Sequence, residues 1–136
     1  MKYAEDKPSV ENHGARTSSS WSPVETVPGV DQLREAAAAL NAGNNIAILA
    51  GEGALNARTE LEQIAEWLGA PVAKDLLGKA VLPDDSPYTT GGIGHLGTQP
   101  SHWAMQDCDT VLILGSTMPW IDSYPKPVRR AACRST

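Results

Sequence analysis

Nothing in the sequence approaches the roughly 18 consecutive apolar residues of a membrane span. The opening also lacks the basic segment followed by an apolar run that marks a secretory leader. These two absences predict a cytoplasmic chain with no membrane partner. Cysteine is scarce. Cys108 and Cys133 lie in different kinds of segment without CxxC spacing, which gives neither a disulfide framework nor a zinc site and predicts reduced thiols. His13, His95 and His102 have no Cys or carboxylate recurring beside them at ligand spacing, so no metal site is indicated. Positive charge is short as well. Eleven Lys and Arg stand against sixteen Asp and Glu, a formal net charge of −5 with a sequence pI near 5.1. The resulting field repels nucleic acid rather than recruiting it. The one basic cluster, Lys126, Arg129, Arg130 and Arg134, reads as exposed tail.

Apolar residues are thin at the start. From Met1 to Ser22, charged residues, Pro8, Gly14 and the run Ser18, Ser19, Ser20 leave too little apolar surface to offset ordering entropy. Residues 1–27 are therefore predicted to be a linker or disordered tail. From Pro28 helix and strand signals alternate closely, which predicts α/β architecture. Val30, Leu33, Ala37 and Leu40 recur at helical spacing, with Asp31 in the first turn and Gly43 placed to close the end, giving a helix over 30–41. Ile46 to Ala50 is a continuous apolar run ending at Gly51, the pattern of a parallel strand covered on both faces. Leu61, Ile64, Ala65 and Leu68 mark a second helix, with Thr59 and Glu62 offering a capping box, Asn56 an earlier cap, and Gly69 the stop. Pro71-Val72-Ala73 reads as a short strand, and a long loop follows through Pro83 and Pro87. A third helix is predicted from Thr98 to Asp107, with Pro100 in its first turn, and Val111 to Gly115 follows as a buried strand.

The sharpest local feature is Gly51-Glu52-Gly53-Ala54 between a buried strand and a helix. Glycines there let backbone approach a phosphate, while a helix N-terminus supplies free N–H groups. A tight strand-to-helix turn needs the same glycines without a ligand. Asn56 stands at the last glycine position of a full dinucleotide fingerprint, and no acid follows a clear second strand at the usual interval. An independent NAD-binding domain is therefore disfavoured. Gly92-Ile93-Gly94-His95-Leu96-Gly97 matches GxGxxG, but Pro87 to Thr90 before it is not a convincing buried strand, and His95 reads as solvated or backbone-bonded. A phosphate loop at Gly78-Lys79 fails because Ala73 and Ala80 replace its Gly and its Ser or Thr. Ser18, Ser86, Ser101 and Ser116 lie in no GxSxG, so hydrolysis has little support. Asp84-Asp85 and Asp107/Asp109 read as solvated pairs, and Trp120 and Tyr124 as stacking or interface residues.

Taken in order, the strand, Gly51-x-Gly53, helix, Pro71-Val72, Gly78-Lys79, Pro87, Gly91-x-x-Gly94, helix, Asp109 and Val111 to Gly115 resemble the middle domain of thiamine-diphosphate-dependent enzymes. The stretch Leu114 to Trp120 leading to Tyr124-Pro125 looks most like the pyruvate oxidase branch of the pyruvate oxidase and acetolactate synthase type, and Tyr3 to Pro8 is similar to the linker that leaves the preceding domain in that family. The resemblance implies a doubly wound, six-stranded parallel sheet over 28–127. It further implies that FAD, where a member carries it, binds here through its ADP half. The implied contacts are Gly51, Glu52, Gly53, Ala54, Lys74, Asp75, Leu76, Leu77, Gly78 and Gly92. Leu77 stands where the oxidase branch often has a basic residue that addresses phosphate.

Thiamine diphosphate and magnesium belong, by the same resemblance, to a glutamate-bearing domain before this one and a GDG-bearing domain after it. Neither motif is in this chain. The chain is thus expected to be non-catalytic alone and to meet those domains or copies of itself. The competing reading is a stand-alone nucleotide-binding or assembly module. Residues 128–136 lack the apolar pattern of a further strand and are predicted to be an unrelated tail. The domain would then be truncated, with β-edge groups left open, and prone to self-association.

Overall fold

The computed structural model describes residues 27–117 and the backbone of 133–135. The predicted linker up to residue 26, the stretch 118–132 with Trp120 and Tyr124, and Thr136 lie outside the described residues. Three helices, α1 (Val30–Asn41), α2 (Arg58–Leu68) and α3 (Gln99–Asp107), accompany five strands. The strands are β1 (Ile46–Ala50), β2 (Val72–Lys74), β3 (Thr89–Gly92), β4 (Thr110–Leu114) and β5 (Cys133–Ser135). The sheet order is β3-β2-β1-β4-β5 and every pair is parallel, the doubly wound arrangement that the alternation predicts.

Side chains alternate across the two central strands, and helices cover both faces. Ile48, Ala50, Val72 and Leu112 pack with Leu40 of α1 and Leu61 and Ala65 of α2. Ala47, Leu49, Ala73, Val111 and Ile113 pack with Met105 of α3 and with Cys108. A strand buried on both faces must be apolar at every position, which is why β1 and β4 are legible as unbroken runs. α3 opens on Thr98, whose hydroxyl accepts from the Ser101 amide, with Pro100 in the first turn.

Four predictions need correction. First, Thr89–Gly92 is a strand, although it lacks a buried apolar run. It forms one edge of the sheet, and its four residues are only partly buried, so it needs backbone pairing more than apolar side chains. Second, Cys133–Ser135, predicted as tail, pairs with β4 through Leu112 to Leu114. A three-residue edge strand is specified by its ladder rather than by an apolar pattern, so β4 has neighbours on both sides. Third, α2 starts at Arg58 with Ala57 as N-cap and no side-chain cap. Glu62 therefore meets Arg58 Nε at 3.4 Å instead of closing a capping box with Thr59. Fourth, Ala42 caps α1, ahead of Gly43. Gly69 ends α2 in the left-handed conformation, φ 58°, as predicted.

Candidate functional site

In an open parallel sheet the place for a ligand is the crevice outside the carboxyl ends of the strands, where the strand order reverses. Here that point lies between β1 and β4, and the loops leaving β1, β2 and β4 meet over it. The loop after β1 is Gly51 followed by a three-residue 3-10 turn, Glu52–Ala54. Its amides are turned inward. Gly51 N–H donates to Leu114 O at 2.9 Å, Gly53 N–H to Gly115 O at 2.8 Å, and Ala54 N–H to Gly51 O at 3.0 Å.

Close approach between these loops is what the glycines serve. A Cβ on Gly51 would lie 2.5 Å from Asp75 Oδ2, Gly115 O and Ser116 Cβ, and one on Gly53 would lie 2.8 Å from Gly115 Cα. A Cβ on Gly78 would lie 2.6 Å from Ala50 O and 2.7 Å from Gly51 Cα. Gly115, at φ 59°, is held against Gly53 and the Ala54 amide. The same glycines that suggest ligand approach are thus packed on one another. Gly92 alone of the predicted glycines has room, its nearest neighbour being Lys74 O at 3.9 Å.

Asp75 joins the three loops. One carboxylate oxygen accepts from Gly78 N–H and the other from the Ser116 hydroxyl, while its own amide donates to Ala50 O at 2.9 Å. Ser116 Oγ is also 2.8 Å from Thr117 O, but it has one proton, and the charged acceptor is the stronger claimant. Asp75, already among the contacts that the resemblance implies, therefore stands directly after β2, where the sequence pattern predicts no acid following a clear second strand. β2 runs one residue past Ala73, which puts Asp75 at its end, and both of the carboxylate's donors lie across a loop or across the sheet.

Lys74, named with this site from the sequence, points elsewhere. It is 1% exposed, and its ammonium donates to Leu82 O at 2.9 Å and meets Asp84 Oδ1 at 2.6 Å. Hydrogen bonding from Lys74, reinforced by its charge, holds the Asp84 carboxyl below the ordinary carboxylate range. Gly51, Ala54 and Gly78 are buried, whereas Glu52, Gly53, Leu76 and Leu77 are exposed and Asp75 and Gly92 are half-buried. The structure thus gathers Gly51 to Ala54, Asp75 and Gly78 in the crevice, leaves Leu76 and Leu77 exposed, and commits the Lys74 ammonium to Leu82 O and Asp84. Gly115 and Ser116 are absent from the predicted set. The signal for them is their position directly after the strand that neighbours β1 at the reversal.

The GxGxxG run at Gly92–Gly97 is a turn from β3 into α3. Thr98 N–H donates to Gly92 O at 2.9 Å, and a Cβ on Gly97 would lie 2.6 Å from the same oxygen. His95 there is exposed. Asp109, at the opposite end of the sheet, accepts from Asn44 N–H at 3.0 Å and from the Thr110 hydroxyl at 2.9 Å. The Asn44 backbone N–H, and then these side-chain donors, lower its pKa. Cys108 is buried and its thiol donates to Met105 O at 3.2 Å, and no helix among the described residues is long and apolar enough to cross a membrane. Among the described residues no three His, Cys, Asp or Glu side chains group to hold a metal.

A flavin or nucleotide diphosphate does not fit the crevice in this arrangement. The space over Gly51 holds the Asp75 carboxylate, and the N–H donors of Gly51, Gly53, Ala54 and Gly78 are used within the protein.

Residues 33–134 match the family model described as thiamine pyrophosphate enzyme, central domain. Over 98 residues the chain is 37% identical to the putative thiamine pyrophosphate-containing protein YdaP of Bacillus subtilis, which covers 72% of this chain and 17% of that protein. It is 32% identical over 117 residues to an uncharacterized 42.6 kDa protein of Pseudomonas amyloderamosa, covering 86% and 30% respectively. With the probable acetolactate synthase large subunit of Methanocaldococcus jannaschii it shares 34% over 86 residues, covering 62% and 15%. The chain spans less than a third of the length of each of these relatives. The parallel sheet, its helices on both faces and the match over 33–134 together show that the chain belongs to the central-domain family of thiamine pyrophosphate enzymes.

Proposed function

We propose that this chain serves as the non-catalytic central domain of an enzyme that decarboxylates a 2-oxo acid on thiamine diphosphate, of the acetolactate synthase or pyruvate oxidase type. Its part is to carry the neighbouring domains on the carboxyl edge of its sheet. One observation carries this reading. Leu55, Leu76, Leu77 and Leu96 are 40%, 81%, 70% and 97% exposed, and all four lie on loops leaving β1, β2 and β3 at that edge. Among the described residues Leu33 on α1 is the one other largely exposed leucine, and leucines so concentrated at one end of a sheet mark a surface that is covered in the assembled protein. Thiamine diphosphate and magnesium would be held by the flanking glutamate-bearing and GDG-bearing domains.

The test is a graft. The matched segment of this chain replaces its counterpart in the Bacillus subtilis relative, and assembly is read by size-exclusion chromatography with light scattering. The graft should assemble as the parent does, and the Leu76→Asp/Leu77→Asp double variant should lose assembly while the isolated chain carrying the same changes melts unaltered. Equal assembly by both grafts would contradict the docking role. The isolated chain with thiamine diphosphate, magnesium and pyruvate should show no decarboxylation. Association of the isolated chain that the same two substitutions abolish would favour a second copy as the occupant of this edge.

A further inference from the structure

We propose that Asp75 sets ligand specificity at the switch point. Its carboxylate is a resident anion in the crevice between β1 and β4, and it excludes the diphosphate of a dinucleotide such as FAD. In nucleotide-binding sheets of this order a diphosphate lies over the glycine-rich turn and draws on backbone N–H groups there. Here the volume over Gly51 is filled from three sides by Asp75 Oδ2, Gly115 O and Ser116 Cβ. Four N–H donors of these loops are committed as well. Gly51 and Gly53 serve β4 and Gly115, Ala54 closes the 3-10 turn, and Gly78 N–H goes to Asp75 itself. The 3-10 turn is three residues long, too short to offer the aligned peptide dipoles of a helix.

Charge works in the same direction. A diphosphate entering the crevice would meet the Asp75 carboxylate, with Glu52 exposed on the adjoining turn. Lys74, next to Asp75 in sequence, cannot answer that charge, because its ammonium is buried against Leu82 O and Asp84. The Asp75 carboxylate thus ties the loops after β2 and β4 and lies against Gly51 of the loop after β1, where a phosphate would need to sit. The inference does not rest on the docking reading, since it concerns the crevice and not the leucines around it.

The test is calorimetric titration of ADP and FAD into the full chain as wild type, Asp75→Ala and Asp75→Asn, each checked for a cooperative melt. The wild type should show no saturable binding up to about 1 mM ligand, the weak end of specific recognition. Asp75→Ala removes the charge, opens the volume over Gly51 and frees Gly78 N–H, and should bind ADP at least roughly tenfold more tightly. Asp75→Asn keeps an acceptor for Gly78 and a polar group for Ser116 but loses the charge. It should gain a smaller, measurable affinity, and it carries the test if the alanine variant does not melt cooperatively. Saturable wild-type binding, or a folded variant that loses the carboxylate and gains no affinity, would overturn the proposal. Neither result would bear on domain assembly, which is measured without nucleotide.

Discussion

The two ends of the sheet are each tied by a carboxylate, and they differ in what the tie does. At the amino end Asp109 holds the turn between α1 and β1 through Asn44 and stands beside the start of β4. At the carboxyl end Asp75 gathers three loops whose glycines are packed on one another, ringed by exposed leucines. The amino end is a local cap, and losing it frees one turn. The carboxyl end is a single interlocked unit in which a change to one loop is felt by the other two.

The sharpest way to break that contrast is Gly115→Ala. The new Cβ would meet the Ala54 amide and Gly53, at a backbone φ of 59° that disfavours any side chain. Left-handed strain of about 1–2 kcal/mol plus an overpacking cost of about 1–3 kcal/mol should remove a large part of a small domain's stability. Urea denaturation reads the loss directly. Next in size is Lys74→Ala, which deletes a buried stem and leaves Leu82 O without its donor, costing about 2–4 kcal/mol. Asp84→Ala should cost far less, because the Asp84 side chain is 76% exposed and stays solvated without its partner. Equal losses for the pair would show that the ion pair rather than the buried stem holds the loop.

Gly69→Ala serves as the control for Gly115. It has nearly the same φ, but nothing lies within 4 Å of the new Cβ, so only the left-handed strain of about 1–2 kcal/mol should appear. If Gly69→Ala and Gly115→Ala destabilise equally, the interlock at the carboxyl end contributes nothing. The smallest effect is expected at the amino end. The pKa of Asp109 is lowered in the folded protein. Its contribution is therefore fully present above the unfolded-state value and is lost as pH falls through the lower folded-state value. Melting temperature followed from neutral to acid pH should fall less steeply in Asp109→Asn than in the wild type.

What the sequence discloses and what it hides divide along physical lines. β1 and β4 are legible because double-faced burial demands apolar runs, and α2 because Leu61 and Ala65 of its periodic face are buried. α3 shows through its Thr98 cap and Pro100, whereas the periodic face of α1 reaches the core only at Leu40 and leaves Val30 and Leu33 exposed. β3 is hidden because an edge strand of Thr-Thr-Gly-Gly carries no such demand, and β5 because three residues pair by backbone alone. At the crevice, Gly51 and Gly53 stand out in the sequence, but their reason does not. The atoms that require them belong to Asp75, Gly115 and Ser116, dozens of residues away, and only the parallel pairing of β1 with both β2 and β4 brings those together.

Amide hydrogen exchange on the full chain tests most directly whether the carboxyl end is a closed, interlocked unit. The amides of Gly51, Gly53 and Gly78 should be protected to nearly the level of those in β1 and β4, and adding FAD should leave them unchanged. In Asp75→Ala, protection at Gly78 should fall while β1 and β4 keep theirs. Rapid exchange at Gly51, Gly53 and Gly78 in the wild type, beside protected β1 and β4 amides, would show an open crevice and contradict the account.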